Sequence, residues 1–363
     1  MNRVVKVFWA VALTLSVAGC ATEENVSKPK PKPKPSAKKA PVAVVSSINE
    51  SIDFKLPDSY KKLSSEERRR KAQVFLELAK DYKDKHDQEK QVESATLAIK
   101  LNPMLAEAYL LRGKALYQSA YGDDRAALED LKRATELDPN LPDAYQYLGR
   151  LYDSQKEYEL AVAAYDKAII ANRHDRDSRT MKASDLRTLG RVGEAIDVYT
   201  GIMQEFPRKS QPYLQRGELY EYLQQYDKAL ADYSIAADMK ESEKDLGSTQ
   251  PFRARAKLYS KLNRSRDAIG DFDQILKRDP YDEESLRLRA LEYLKLGEEA
   301  KALADLNRSI ELAPDYGRAS YEARAKIFKR QGKQALADAD LKKASSIKAK
   351  PAEVPIYSIK RER

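Results

Sequence analysis

This 363-residue sequence predicts an all-α protein, a superhelical solenoid of about eight helix-turn-helix repeats preceded by a disordered Lys/Pro-rich tether. The first observation is a period: five prolines follow one another at intervals of 36, 68, 73 and 34 residues, close to one or two units of 34 (Pro103, Pro139, Pro207, Pro280 and Pro314). The second is that apolar residues three, four and seven apart form one stripe on each of two helical segments per unit. Such helix pairs bury a continuous core only when they stack.

Residues 1–19 have the zones of a bacterial secretory signal. Arg3 and Lys6 precede an uncharged, mostly apolar run over residues 7–17, which is too short for a helix that spans a bilayer. The segment ends in VAGC, which resembles the lipobox of bacterial lipoproteins. That resemblance implies a diacylglyceryl group on Cys20, cleavage before this residue and acylation of the new amino terminus. An ordinary secreted protein with an incidental cysteine is the alternative.

The residue after the lipobox bears on location. Ala21, rather than Asp, follows Cys20, and by analogy with the Gram-negative sorting rule this implies the outer membrane, facing the periplasm. Several acyl chains, such as palmitate, would anchor the protein firmly, whereas one chain binds only marginally. We therefore expect the N-terminal lipid to attach the chain to a membrane of the cell envelope.

Residues 20–63 are predicted to form a lipid-anchored linker. Its most regular part begins at Lys28 and reads KPKPKPKP, in which alternate prolines forbid helix and sheet ladders. A polyproline-II spacer over residues 28–41 would extend about 40 Å at about 3.1 Å per residue. The lysines either keep a passive spacer soluble or contact anionic lipid or another envelope polymer.

The repeats are predicted in two blocks. Repeats 1–5 span residues 64–243 and repeats 6–8 span residues 249–351, with an inter-repeat insertion at 244–248 and a basic tail at 352–363. We interpret the insertion as a candidate hinge. Equivalent residues in repeats 3 and 5 illustrate the pattern: Tyr145 and Tyr213, Gly149 and Gly217, Ala161 and Ala229, Tyr165 and Tyr233, Ala168 and Ala236. This pattern resembles the tetratricopeptide repeat, which implies a right-handed superhelix of paired helices.

A charged pair recurs in five of the repeats. These repeats have Arg at position 7 and Asp at position 23, whereas the other three lack both residues. The pairs are Arg112 and Asp130, Arg216 and Asp232, Arg255 and Asp271, Arg289 and Asp305, and Arg324 and Asp340. We predict a structural, bidentate bridge between the two helices of each such repeat. Joint inheritance from duplicated repeats, without contact, is the competing explanation.

The sequence offers no catalytic constellation. A single cysteine excludes an internal disulfide framework or a thiolate zinc site, and two histidines leave little for a metal centre. There is no Gly-rich phosphate loop, GxSxG elbow or HExxH motif. We therefore predict no catalytic residues, no metal and no cofactor, and a protein that is not an enzyme.

The resemblance implies a concave groove, lined by the first helix of each repeat, that binds proteins or peptides. Carried onto this chain, the candidate groove residues are Arg150, Glu218, Glu221, Arg253, Lys257, Arg287, Lys326 and Lys329. We hypothesise that the basic residues beyond the insertion engage acidic side chains or a carboxylate terminus of a partner. The alternative is a set of ordinary solvated helix faces. The Lys/Asn clamp of chaperone-tail-binding members is absent from matching positions.

The net charge of +9 does not indicate a nucleic-acid-binding surface. The signal carries +2, residues 21–41 carry +4 and residues 342–363 carry +5, so residues 42–341 carry −2. The sequence thus favours an adaptor or scaffold that binds partner proteins in the bacterial envelope. Family resemblance suggests cell-wall enzyme, pilus or secretion, or outer-membrane assembly complexes. The alternative is a structural surface lipoprotein whose basic tether and tail bind anionic lipid or polymer. Oligomeric state stays open.

Overall fold

The structure is a computed structural model that describes residues 58–119, 123–239 and 248–347. The predicted signal, Cys20, most of the linker, nearly all of the insertion and the basic tail lie outside these residues. The described residues form seventeen α-helices and no strand, so the all-α prediction is confirmed.

In chain order the helices are α1 (Asp58–Lys61), α2 (Ser65–Asp84), α3 (Gln88–Leu101), α4 (Ala106–Gln118), α5 (Asp124–Leu137), α6 (Pro142–Ser154), α7 (Tyr158–Ala171), α8 (Arg176–Thr188), α9 (Val192–Glu205), α10 (Ser210–Tyr222), α11 (Tyr226–Asp238), α12 (Gln250–Lys261), α13 (Ser265–Arg278), α14 (Glu283–Lys295), α15 (Glu299–Leu312), α16 (Arg318–Arg330) and α17 (Gln334–Ser346).

From α2 onward these helices are the first and second members of eight consecutive pairs. Each helix packs on the next along the chain, both within a repeat and between repeats. First helices of successive repeats also contact one another, for example α2 with α4 and α10 with α12. The first helices therefore lie on the inner side of the array, where a groove forms. None of the described helices has both the length and the apolar content needed to cross a membrane.

The start of the array differs from the predicted linker boundary at residue 63. Residues 58–61 form α1, and the Tyr60 ring packs edge-on against Phe75 of α2 with centroids 6.2 Å apart. Helix α2 begins with a capping box, in which the Ser64 hydroxyl accepts from the Glu67 N–H and the Glu67 carboxylate accepts from the Ser64 N–H at 2.8 Å. Packing and capping thus order the chain several residues earlier than the sequence pattern indicated.

The turn between the two helices of a repeat has the same backbone conformation in seven of the eight repeats. Position 15 adopts a positive φ between 58° and 79° in seven repeats, at His86, Lys156, Gly190, Gln224, Asn263, Gly297 and Gly332. Only three of these residues are glycine, although left-handed backbone costs other residues about 1–2 kcal/mol. The stacked helices therefore impose this turn even where the local sequence disfavours it.

Small residues let the two helices of a repeat approach closely. Ala161 and Ala229 are fully buried at the helix crossing. A Cβ atom on Gly149 would lie 2.5 Å from Cε1 of Tyr165, and one on Gly217 would lie 2.6 Å from Cε1 of Tyr233. Each tyrosine ring therefore packs directly against a glycine of the other helix.

The apolar core continues across the insertion. Leu258 of α12 packs in one cluster with Leu214 of α10, and Phe252 of α12 packs in another with Ala237 of α11. Residues 244–247 themselves lie outside the described residues, and the role of this segment as a hinge stays a prediction.

Candidate functional site

The structure brings all five predicted Arg–Asp pairs together. In each pair the arginine Nε and one terminal nitrogen donate to the two carboxylate oxygens, at distances between 2.6 and 2.9 Å. The aspartates are buried, with side-chain exposures of 4–10%. The Asp232 hydrogen bond raises the pKa of Arg216, whereas burial raises the pKa of the Asp271 carboxyl despite its bonds to Arg255. Each pair thus has the bidentate geometry of a guanidinium–carboxylate ion pair.

The remaining guanidinium nitrogen of each arginine reaches the preceding repeat. Arg216 donates to the Thr200 hydroxyl at 2.9 Å, and Arg324 donates to the Asn307 amide oxygen at 2.7 Å. The acceptors all occupy position 25 of the preceding repeat and are Thr96, Thr200, Ser234, Asp273 and Asn307. Each arginine thus joins the two helices of its own repeat and also joins that repeat to its neighbour, a role that sequence reasoning missed.

The repeats without this arginine follow the same rule. Lys182, at position 7 of repeat 4, pairs with Asp166 at position 25 of repeat 3, with 2.5 Å between Nζ and Oδ1. Leu148, at position 7 of repeat 3, follows a repeat that has Lys132 at position 25. A hydrogen-bond acceptor therefore stands at position 25 wherever the next repeat has a cation at position 7. This correlation between position 25 of one repeat and position 7 of the next could have revealed the contact between repeats from the sequence.

Several predicted groove residues already have partners within the chain. Arg253 donates to Asp282, and its guanidinium also lies 3.3 Å from a Glu284 carboxylate oxygen. The Lys257 Nζ lies 3.0 Å from the other oxygen of Glu284. The basic face beyond the insertion is thus partly neutralised by acidic residues of repeat 7.

The four other predicted cations form no ion pair among the described residues. The side chains of Lys326 and Lys329 are exposed on α16, and Arg287 is half-buried on α14. Arg150 stacks its guanidinium 5.4 Å from the Tyr147 ring centre. These cations lie on first helices, as the groove prediction required.

A cleft of about 840 Å³ opens between the first helices of repeats 5 and 6. Glu218 and Glu221 of α10 line one wall, and Arg253, Lys257 and Lys261 of α12 line the other. Its apolar residues include Leu214, Tyr222, Tyr226, Tyr233 and Ala254. Tyr233 donates to Glu221 at 3.1 Å, and the Lys261 Nζ lies 3.4 Å from the other oxygen of this carboxylate. The cleft thus combines apolar area with two walls of opposite charge.

A second polar feature lies between repeats 3 and 4. Asp185 of α8 is 3% exposed, and its Oδ2 atom has no hydrogen-bond partner. Burial raises the pKa of Asp185 to about 8, and the adjacent carboxylate of Asp153 on α6 adds to this shift because two close carboxylates resist joint ionisation. Burial also raises the pKa of Tyr165 well above its ordinary range. Sequence reasoning missed Asp185, which stands where repeats 3, 5 and 6 have the buried leucines Leu151, Leu219 and Leu258.

The side chains that could bind a metal ion are spread over the part of the chain that the structure describes. No group of three or more His, Cys, Asp or Glu side chains converges there in a way that could hold a metal ion. The arrangement instead offers side-chain hydrogen-bonding groups, charges and apolar area along a groove.

Comparisons with known proteins bear on this architecture. A family model described as tetratricopeptide repeat matches residues 253–317, and one described as FAT domain matches residues 55–183. The small glutamine-rich tetratricopeptide repeat-containing protein 2 of Mycosarcoma maydis is 35% identical over 78 residues, 22% of each chain. Cell division cycle protein 27 homolog A of Arabidopsis thaliana is 27% identical over 116 residues, 32% of this chain and 16% of that protein. The chain therefore spans less than a quarter of the length of these two relatives.

A solved structure shares the fold. The C-terminal part of a TPR repeat-containing protein from Cytophaga hutchinsonii is 15% identical, with a TM-score of 0.58 over 67% of this chain and 97% of that chain. Together with the 34-residue helix pairs and the family match over residues 253–317, this likeness shows that the chain has a tetratricopeptide-repeat fold.

Proposed function

We propose that this protein is a membrane-anchored adaptor of the bacterial cell envelope that binds segments of partner proteins in its groove. The tetratricopeptide-repeat fold and the family match over residues 253–317 support a protein-interaction adaptor or scaffold. The observation that carries the proposal is the cleft between repeats 5 and 6, which offers buried tyrosine and leucine surface between acidic and basic walls. Apolar area gives a bound segment its affinity, and opposed charges orient it. No reaction is assigned to the chain.

The groove part of the proposal is tested by site-specific crosslinking. A photoreactive amino acid at Ala254, which lines the cleft, should crosslink discrete proteins in native membranes. Replacing Arg253, Lys257 and Arg287 with Ala should reduce this capture. A matched control replaces three cations of second helices, Arg125, Arg133 and Arg308, each in an exposed ion pair. Capture that is unchanged by the first triple variant, or equally reduced by the second, contradicts a role for these groove cations.

The envelope part of the proposal rests on the lipobox at Cys20. Cys20→Ala should move the protein from the membrane fraction to the soluble fraction, and firm retention without Cys20 would contradict the anchor. Salt extraction separates the adaptor from the alternative function. Partners retained at high salt support an adaptor, whereas salt-labile retention by anionic lipid or polymer supports a surface lipoprotein that acts through its basic ends.

A further inference from the structure

The acidic feature between repeats 3 and 4 differs from an ordinary acidic surface because its atoms are buried and unsatisfied. Asp185 is 3% exposed and its Oδ2 atom accepts no hydrogen bond. Tyr165 is fully buried and its hydroxyl has no hydrogen-bond partner. The hydroxyl interacts electrostatically with both Asp153 and Asp185, so these groups face one another. Buried polar groups in native proteins are normally paired, and unpaired ones call for an explanation.

The cations nearest to this carboxylate pair form no ion pair with it among the described residues. Arg150 stacks on Tyr147 and forms no ion pair among the described residues, and its buried Nε atom also has no partner. Arg187 lies on the same helix as Asp185 but directs its guanidinium to Glu218 of the next repeat, at 3.6 Å. The charge of Arg150 acts on the Tyr165 hydroxyl, but neither Asp153 nor Asp185 has an ion pair among the described residues.

The equivalent place in repeats 5 and 6 shows what completes such a site. There the tyrosine hydroxyl of Tyr233 donates to Glu221, and Lys261 of the following repeat pairs with the same carboxylate. In repeats 3 and 4 the tyrosine and the acid recur as Tyr165 and Asp153. Thr188 replaces the lysine, however, and Asp185 replaces the buried Leu258. This site has one acid more and one cation fewer than its counterpart.

We propose that Asp153, Asp185 and Tyr165 form a binding site for a basic side chain, lysine or arginine, of a partner polypeptide. This inference rests on the proposed groove function and specifies its partner chemistry. The incoming cation occupies the role that Lys261 fills within the chain at repeats 5 and 6. It donates to both carboxylates, and the Tyr165 hydroxyl then donates to one of them. The packing of Tyr165 over Gly149 places that hydroxyl at the site.

The test uses the full-length protein and three short glycine peptides that differ in one central residue. The arginine peptide is the probe, and the citrulline and norleucine peptides are neutral controls of similar shape. Binding is followed by calorimetry and by the ¹³C carboxyl shifts of Asp153 and Asp185. We expect the arginine peptide alone to bind and to shift both carboxyl signals. Asp185→Asn and Asp153→Asn should each weaken its binding by about tenfold or more.

Thr188→Lys is the decisive variant, because it supplies the missing cation at an exposed position where misfolding is not expected. It should abolish binding of the arginine peptide, whereas Glu129→Gln, at an exposed carboxylate on a second helix, should leave it unchanged. Equal binding of the citrulline peptide, no binding of the arginine peptide, or binding unaffected by Thr188→Lys and Asp185→Asn overturns the proposal. If partner capture at Ala254 persists in Asp185→Asn while arginine binding fails in the wild type, the groove function stands and this site does not. If the arginine peptide binds but no partner is captured at Ala254, this site stands and the proposed groove function does not.

Discussion

Arg216 on the first helix of repeat 5 and Asp232 on the second are joined by two hydrogen bonds of 2.8 Å each. Asp232 is 3% exposed, so removal of the arginine leaves a carboxylate buried without a cation. We expect Arg216→Leu to destabilise the protein by about 3 kcal/mol, measured by urea unfolding. The double variant Arg216→Leu/Asp232→Ala copies Leu148 and Ala164 of repeat 3 and should recover most of this loss. A double variant as unstable as the single one would contradict this account.

The hydrogen bond from Arg216 to Thr200 links repeat 5 to repeat 4. Thr200→Val keeps the shape of the side chain but removes the acceptor. It should lower the free energy of unfolding, measured in urea, by about 1–2 kcal/mol, because hydrogen bonds to charged groups are stronger than those between neutral groups. Thr180→Val is the control, because the Thr180 hydroxyl likewise donates to a carbonyl four residues earlier in its helix. Similar costs for the two substitutions would show that the arginine bond contributes nothing.

Gly149 is required by the tyrosine that covers it. Gly149→Ala would place a Cβ atom 2.5 Å from the Tyr165 ring, and the ring must move within a closely packed core. We expect a loss of about 1–3 kcal/mol in thermal or urea unfolding. Gly201→Ala, in the interior of α9 with nothing within 4 Å of the new Cβ, should instead stabilise by up to about 1 kcal/mol. If Gly149→Ala leaves the stability unchanged, the Tyr165 ring has room to shift and this explanation is wrong.

Asp185 should make stability depend on pH. Its pKa is about 8 in the folded protein and about 3.9 in an unfolded chain, so folding binds a proton between these values. The stabilisation from the protonated form is complete below the unfolded pKa and is lost as the pH rises towards 8, by up to about 1.4 kcal/mol per pH unit. Asp185→Asn mimics the protonated acid and should remove this slope.

The measurement for this prediction is unfolding free energy between pH 5 and about 9. The advantage of Asp185→Asn over the wild type should grow with pH and level off above the folded pKa. Asp143→Asn, at an exposed carboxylate that pairs with Lys114, should keep the slope of the wild type. A constant difference between Asp185→Asn and the wild type across the range would show that Asp185 is ionised throughout.

The parts of this molecule that could be predicted from sequence are those that repeat with the same residue type. Arg216 and Asp232 could be paired because both types recur together in five repeats. The acceptor on the neighbouring repeat could not be paired in the same way. It is Thr200 for one arginine and Asn307 for another, and the members of this set share only the ability to accept a hydrogen bond.

The groove shows the same division. Its position on first helices was implied by the family resemblance, but the charges left unpaired along it could not be predicted. Arg253 and Lys257 were predicted as open cations, yet both form ion pairs with Glu284 of the following repeat. Asp185 was not among the predicted groove residues, and three other repeats have a buried leucine at its position.

The sequence alone determined the helix pairs, their period and the residues that close each pair, because these depend on contacts within one repeat that recurs along the chain. Tertiary structure alone decided which charges remain available in the groove. Those charges depend on side chains that come from two different repeats, and the distance between them is set by how the repeats stack. Because repeats 5 and 6 stack, Lys261 of one pairs with Glu221 of the other. The equivalent stacking of repeats 3 and 4 brings Asp185 to Asp153 and supplies no lysine.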